Sequence, residues 1–386
     1  LFFHTDPATT EKVLARPRLL QQLKAQRRPG ATLSCYAVSA AEMALASELG
    51  LDLEGTPASL SDLGSKAGSA AVFAHLGLPT PRTTPLCQSL DELSDRIESL
   101  VLHHLDIHDV VVKLNRMAGG RGNAPLALDL EQWRQQSRDE RRRLLLTALD
   151  QLAMPLTHWR DELQRHGAIA QELIRAPRGR LSSPSVQLWI DPQGQVELTS
   201  THEQCLGGPH GHSFKGCRFP ARYAYRQELM AMGERLGCHL AQLGCRGAVL
   251  LDLVAKREHN TWQLWAIEIN LRKGGTTHPF QLAAIATDGH FDRSSGELQD
   301  SDRAAVYYEA SDELRQPHWR GLLPEQLLDE MVQNNLYFNS ANRRGCIPHR
   351  LGALSEHGLM GITAVGRSRR EAITLMQQMR GIAGPR

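Results

Sequence analysis

The sequence predicts an α+β protein, and three observations carry that reading. The charged residues of greatest chemical interest sit on strand-like runs paired into hairpins. The capped helix-like segments do not alternate regularly with those strands, as one doubly wound sheet would require. The chain has 386 residues, enough for two or three domains with cores of their own.

The elements follow in order. A strand-like ATLSCYAVSA leads into a helix-like AAEMALASELG that Gly50 ends, which gives an α/β start. Ser65 is placed to cap a helix running to His75. Gly77 closes it, and Pro79 and Pro81 forbid its continuation. VVVKL at residues 110–114 reads as a strand, PLALDL as a returning strand, and AIAQELI at residues 168–174 as another. SVQLWID and QVELTS flank Pro192-Gln193-Gly194 as a hairpin. RGAVLLDLVAK and TWQLWAIEINLR form a second hairpin around His259-Asn260, and a helix follows over residues 279–286. GLMGITAVG is strand-like and SRREAITLMQQM helical. These runs divide the chain at residues 1–64, 65–300 and 301–386.

Composition excludes some classes. Lys+Arg total 44 against Asp+Glu 42, so no net field draws the chain to nucleic acid or an anionic membrane. The basic run RDERRR at residues 138–143 reads as the solvated face of a helix. No apolar run is long enough to span a bilayer. The start, LFFHTDPATT, lacks the basic region and cleavage site of a signal peptide, and without an initiator Met it points to a few preceding residues. Seven scattered Cys with no CxxC pair suit a reduced cytoplasm. A homo-oligomer is left open.

The strongest chemical signal is WAIEINLR. Side chains alternate along a strand, so Trp265, Ile267, Ile269 and Leu271 are expected on one apolar face, with Glu268, Asn270 and Arg272 on the other. Hard oxygen donors in line suit Mg2+, and an adjacent Arg suits a phosphate. With a turn near Asn260, Asp252 falls opposite Glu268. Directly opposed carboxylates repel unless a cation sits between them. On that reasoning Glu268→Gln leaves the metal-free fold no less stable. The bland alternative is a surface strand with a Glu–Arg pair, but Asp252 is embedded in VLLDLV, where an unpartnered carboxylate is costly.

The second signal is VVVKLNRMAGGRGNAPLALDL. Gly119, Gly120 and Gly122 allow a loop to bring backbone N–H groups to phosphates, and Lys113 ends the strand before it. No helix follows, so this is neither a P-loop nor a Rossmann turn. A flexible hairpin explains GGRG equally well. Third, Gln171-Glu172-Leu173-Ile174 offers a backbone edge to adenine, with Glu172 near its amino group or the ribose. A plain core strand is the alternative.

A strand Lys, a glycine-rich hairpin, a Gln-Glu strand, an Asp on a late strand and ExNxR on the next resemble the ATP-grasp superfamily. The finer resemblance is to the pheganomycin-type peptide ligases, through LGSKAGS, THEQCLGG, GCRFPA, EINLRKGGTTHPF and LGALSEHGLMGITAVG, from about Leu63 onward. It implies an ATP-grasp fold with an N-terminal α/β segment and a small C-terminal module. It implies ATP with two Mg2+ ions between carboxylates and triphosphate, an acyl-phosphate intermediate and amide formation from a carboxylate and an amino acid or peptide amine. It carries Lys113, Glu172, Asp252, Glu268, Asn270 and Arg272 to nucleotide and metal roles. Pro348 interrupts one C-terminal strand, which places that strand at an edge.

Other residues carry weaker signals. Arg218 is a candidate for holding the donor carboxylate or the transferring phosphoryl, alongside Arg272. Lys273, Thr277 and His278 precede a helix, with Thr277 or His278 at its N-cap and Pro279 at N1, where exposed N–H groups suit an anion. His202, His210 and His212 lack zinc-finger spacing, and Cys217 lacks a partner base. A kinase with the same cradle and a hydroxyl acceptor, or a non-catalytic nucleotide-binding protein, are the competing functions. The intact Asp252, Glu268 and Asn270 set speaks against the latter.

Overall fold

A computed structural model describes residues 9–117, 122–127, 129–150, 154–177, 179–208, 211 and 213–382. Short parallel strands, Thr32–Ser34 and Asp52–Glu54, flank the helix Ala40–Leu49. Ser39 and Glu42 close a capping box at its start. Gly50 ends it in the left-handed region (φ 61°), as the sequence suggests. The next helix, Lys66–Leu76, begins under the Ser65 side chain, which accepts from the Gly68 N–H at 3.0 Å.

A three-stranded antiparallel sheet follows. Asp109–Leu114 lies between Asn123–Ala127 and Ala168–Glu172. Its central strand keeps period two: Val110, Val112 and Leu114 enter a core with Ile97, Leu145 and Trp159, while Val111 and Lys113 face the other way. Each fully buried aliphatic side chain contributes about 1.5–3 kcal/mol. The basic run lies in the helix Arg138–Asp150, where Arg138 and Arg142 pair with Asp95 and Asp91 on the neighbouring helix.

The larger sheet is antiparallel and runs in the order Thr261–Asn270, Gly247–Glu258, Pro184–Ile190, Val196–Gly207, Ser213–Phe219 and Ala305–Arg315. The helix Tyr223–Gln242 packs on it. Gly233 and Gly237 permit that approach, since a Cβ there would stand 2.8 Å from Val186 and 2.6 Å from Val196 side chains.

Leu359–Gly366 continues the sheet beside Ala305–Arg315, and Gly345–His349 pairs on its outer side. Pro348 therefore sits in an edge strand, met beyond only by an isolated bridge from Tyr337 to Cys346, where a missing N–H is tolerated. Residues 305–315 and 359–366 thus share the sheet with residues 184–270. Among the described residues no helix is long and apolar enough to cross a membrane.

One expectation is corrected. Trp265, Ile267, Ile269 and Leu271 do not form one continuous apolar face. Asp252 pairs with Glu268 but Leu253 pairs with Ala266, so Ile267 is an extra residue in a bulge. A bulge shifts the alternation by one. The core receives Leu264, Ala266 and Ile269, while Ile267 turns toward a cavity. The start of the following helix also differs. It spans Thr277–Thr287 with Thr276 at the N-cap, so Pro279 lies at the third helical position, not the first. The Thr277 N–H already bonds the Gly274 carbonyl at 3.1 Å, which starts the turn earlier than proline preference suggests.

Candidate active site

A cavity of about 830 Å3 opens between the two sheets, lined by Lys113 and Gln171 from one and by Asp252, Glu268 and Asn270 from the other. The hairpin puts its carboxylates together by register. Asp252 stands directly opposite Glu268, and Asn270 lies two residues further along. Asn270 Nδ2 donates to Asp252 Oδ2 at 2.9 Å, and Gln204 Nε2 donates to Asp252 Oδ1 at 2.6 Å. Burial first, and Glu268 second, push Asp252 up to about 7, because both disfavour its charged form.

Positive charge meets this pair from two other elements. Lys66, the first residue of its helix, places Nζ 2.5 Å from Glu268 Oε2 and is only 6% exposed. Lys113 donates to Gln171 Oε1 at 2.5 Å. Burial, together with the nearby Lys66 ammonium, draws Lys113 down to about 8. Lys66 reverses one expectation from the sequence. With a buried ammonium bound to Glu268, neutralising the carboxylate strands a charge instead of relieving a repulsion.

The remaining sequence candidates divide. Glu172, Leu173 and Ile174 line the cavity. Glu172 is held by Arg82, whose Nε donates to it at 2.8 Å. On the backbone, the Glu172 N–H goes to the Arg82 carbonyl and the Leu173 N–H to that of Asp109. Arg272 lines the cavity and donates to the Tyr36 hydroxyl at 2.7 Å. Arg218 lines the opposite end, donating to Glu309 at 2.7 Å. Gly122 is buried beside Leu114, where a Cβ would stand 2.9 Å from the Leu114 Cβ; hairpin packing alone accounts for that glycine. Gly119 and Gly120, like His210 and His212, lie outside the described residues.

Lys273 is turned to the N-terminal segment, its Nζ 2.5 Å from Ser34 Oγ. Thr277 bonds Gln187 at 2.6 Å, and His278 pairs with Asp312 at 2.9 Å. Gly274, Gly275 and Thr276 reach the cavity instead. Thr276 Oγ1 is buried without a hydrogen-bond partner. His202 is buried against the Tyr308 hydroxyl at 2.6 Å, and burial pushes the Cys217 thiol well up, so neither behaves as a ligand or nucleophile.

Sequence reasoning missed Lys66, Gln204, Arg222 and Arg369, all of which line the cavity. Lys66 had a signal, since LGSKAGS places a lysine one residue after a capping serine. Gln204 lies in THEQCLGG, one of the strings that carry the resemblance, whereas Arg222 and Arg369 stand at the starts of two separate helices and had none.

The oxygen donors of Asp252, Glu268 and Asn270 fit a hard divalent cation such as Mg2+. The two opposed carboxylates, with Asp252 pushed up first by burial and then by Glu268, are what such an ion would neutralise.

The chain is similar to known proteins of this fold. Residues 157–294 match a family model described as IQCH-like, ATP-grasp. An L-propargylglycine–L-glutamate ligase of Streptantibioticus cattleyicolor is 29% identical over 344 residues, covering 88% of this chain and 68% of that protein. The IQ motif-containing protein H of Danio rerio is 26% identical over 290 residues, 67% of this chain but 27% of that protein. The biotin carboxylase domain of Hydrogenobacter thermophilus 2-oxoglutarate carboxylase, solved with MgADP and bicarbonate, superposes with a TM-score of 0.63 at 12% identity, over 98% of this chain and 78% of that one. Sheet order, opposed carboxylates and relatives converge: the chain is an ATP-dependent carboxylate–amine ligase that resembles the ATP-grasp superfamily and, within it, the pheganomycin-type peptide ligases.

Proposed function

We propose that the chain joins an amino-acid-type carboxylate to the amine of an amino acid or peptide, and that ATP and Mg2+ are used in the cavity between the two sheets. The observation that carries this is the register of Asp252 against Glu268, with Asn270 beside them at the cavity. The L-propargylglycine–L-glutamate ligase supports an amino-acid donor and an amino-acid acceptor.

In this reading Asp252, Glu268 and Asn270 hold Mg2+, two ions by family resemblance. When bound, Mg2+ neutralises charge on the β- and γ-phosphate oxygens. Lys113 and Lys66 meet the triphosphate from the other side, and Leu173, Ile174 and Ile267 enclose the adenine. A donor carboxylate oxygen attacks the γ-phosphorus as the bond to the bridging β–γ oxygen breaks, giving an acyl phosphate and ADP. Arg272 stabilises the charge spread over the transferring phosphoryl. The amine then attacks the acyl carbon, phosphate leaves, and the amine gives up a proton. Arg218, Arg222 and Arg369 at the far end hold substrate carboxylates, and Gly275 and Thr276 give a backbone seat for an anion beside them. Water is kept from the acyl phosphate by the two sheets.

We also infer a division at residues 1–64, 65–300 and 301–386, and a reducing compartment such as the cytoplasm, which the seven free cysteines support.

The test is phosphate release from ATP and Mg2+ with pooled amino-acid carboxylates, with and without pooled amines. Release of ADP and free phosphate that needs both pools is expected. ADP formation with a phosphorylated hydroxyl acceptor would overturn the ligase reading in favour of a kinase.

A further inference from the structure

A second group of ligating side chains stands beyond the cavity wall. His278 lies in the first turn of the helix Thr277–Thr287, Asp312 in the strand Ala305–Arg315, and His349 at the end of the strand Gly345–His349. One ligand atom from each lies within 4.8 Å of the others. His278 Nε2 is 2.9 Å from Asp312 Oδ1, and the two imidazoles meet nearly edge to face, 4.6 Å apart.

The backbone brings these groups together by two local devices. Leu359–Gly366 lies between the strands that carry Asp312 and His349. Gly361 of that middle strand pairs with His349. On its other side the register passes from Ser311–Ile362 to Leu314–Met360, so Asp312 and Glu313 share the place opposite Gly361. That bulge re-aims a side chain, and the missing Cβ of Gly361 makes room. A Cβ there would stand 2.0 Å from His349 Cε1 and 2.1 Å from its Nδ1. The imidazole thus reaches across a neighbouring strand only because that strand has glycine at this point.

The hydrogen bonding is incomplete in the manner of a ligand set. His349 Nε2 is buried and has no hydrogen-bond partner. Leaving a buried polar atom without a partner is destabilising. The ring is hydrogen-bonded to the Ile362 backbone, an arrangement that orients a metal-binding imidazole through its other nitrogen. Arg350 donates to the Asp312 carbonyl at 3.0 Å, which leaves the carboxylate to the histidines.

We propose that His278, Asp312 and His349 form a binding site for a divalent transition-metal ion of the Zn2+ class. Two imidazoles and one carboxylate are a borderline donor set that suits Zn2+, Co2+ or Ni2+ over Mg2+, unlike the all-oxygen set of Asp252, Glu268 and Asn270. His278 is 39% and Asp312 26% exposed, so an ion has access and a fourth position stays open to water. The ion would clasp the helix that follows the Gly274–Thr276 cavity wall to two C-terminal strands.

The experiment uses the full chain, stripped with a chelator and titrated with Zn2+ in the presence of millimolar Mg2+. The expected result is one Zn2+ bound per chain, with affinity at least about 100-fold weaker in His349→Gln, as loss of a whole ligand costs more than loss of its orienting partner. Stoichiometric Zn2+ that binds wild type and His349→Gln alike would overturn the proposal, as would no binding at all. Should His349→Gln fail to fold, Co2+-loaded wild type decides. Intense visible bands of a four- or five-coordinate nitrogen-ligated ion support the site, and the weak spectrum of an octahedral oxygen site overturns it.

Discussion

The two sheets that line the cavity present their polar groups in different ways. In the three-stranded sheet the alternation of Asp109–Leu114 is unbroken, so Val111 and Lys113 face the cavity and Val110, Val112 and Leu114 face the helices. In the hairpin of the larger sheet a bulge at Ile267 breaks the alternation. The first arrangement isolates one ammonium among apolar neighbours. The second crowds two carboxylates and an amide onto one spot and adds an apolar side chain beside them. Regular pleating places a single charge; an irregularity is what lets a strand pair concentrate several groups of one kind. The larger sheet does not balance its own charge, since Glu268 is met by Lys66 from a helix, whereas Lys113 is met by the neutral Gln171 of its own sheet.

The sharpest test of that contrast is Glu268→Gln. Phosphate release dependent on carboxylate and amine should fall about 10²-fold or more, the size expected for loss of one electrostatic stabiliser. The same variant should melt lower than wild type without metal, by about 2 kcal/mol or more, because Lys66 is left buried and unpaired. Wild-type release from a folded variant would make the hairpin structural and undo the comparison.

Lys113→Ala probes the other sheet. Loss of a charge-assisted bond to phosphate should weaken ATP binding about 10- to 100-fold in a calorimetric titration. Unchanged affinity would remove the three-stranded sheet from nucleotide binding.

Arg218→Ala tests the larger sheet away from its carboxylate hairpin, on the strand Ser213–Phe219. Turnover should fall by about 10-fold beyond any loss in ATP affinity. Equal loss in both would reduce Arg218 to a partner for Glu309.

The smallest effect at neutral pH belongs to His202, buried behind the larger sheet and drawn by burial down to about 3. Its folded value lies below the unfolded value of about 6.5, so the unfolded chain takes up the proton first. Stability should be full above pH 6.5 and fall as pH drops toward 3, by up to about 1.4 kcal/mol per unit. Denaturant unfolding at pH 7 and 5 should show a smaller loss in His202→Gln than in wild type.

Much of the fold was legible. Ser65 caps the helix it precedes, and Gly50 and Gly77 end theirs, because capping is settled within four residues of chain. Asp252 does stand opposite Glu268 as expected, but through the bulge: the turn pairs Glu258 with Thr261, a register that alone would set Asp252 against Ile267. The bulge at Ile267 did not show, since the extra residue is apolar like its neighbours and pattern alone cannot say which one is unpaired. The start of the helix at Thr277 was misjudged because a local Gly274–Thr277 bond outweighed the preference of Pro279.

By itself the sequence determined where strands and helices run, which side chains can bind an ion or a phosphate, and that two carboxylates oppose each other on one hairpin. These depend on steric preference and on separations of a few to twenty residues. Only the tertiary structure decided what meets them. Lys66 on Glu268, Gln204 on Asp252, Arg82 on Glu172, and Asp312 and His349 reaching one another across Gly361 all join residues far apart in the chain or held on separate strands. The physical reason is that burial makes partnership obligatory for a charge, while which partner arrives is set by sheet order and packing, and no local pattern of residues records that.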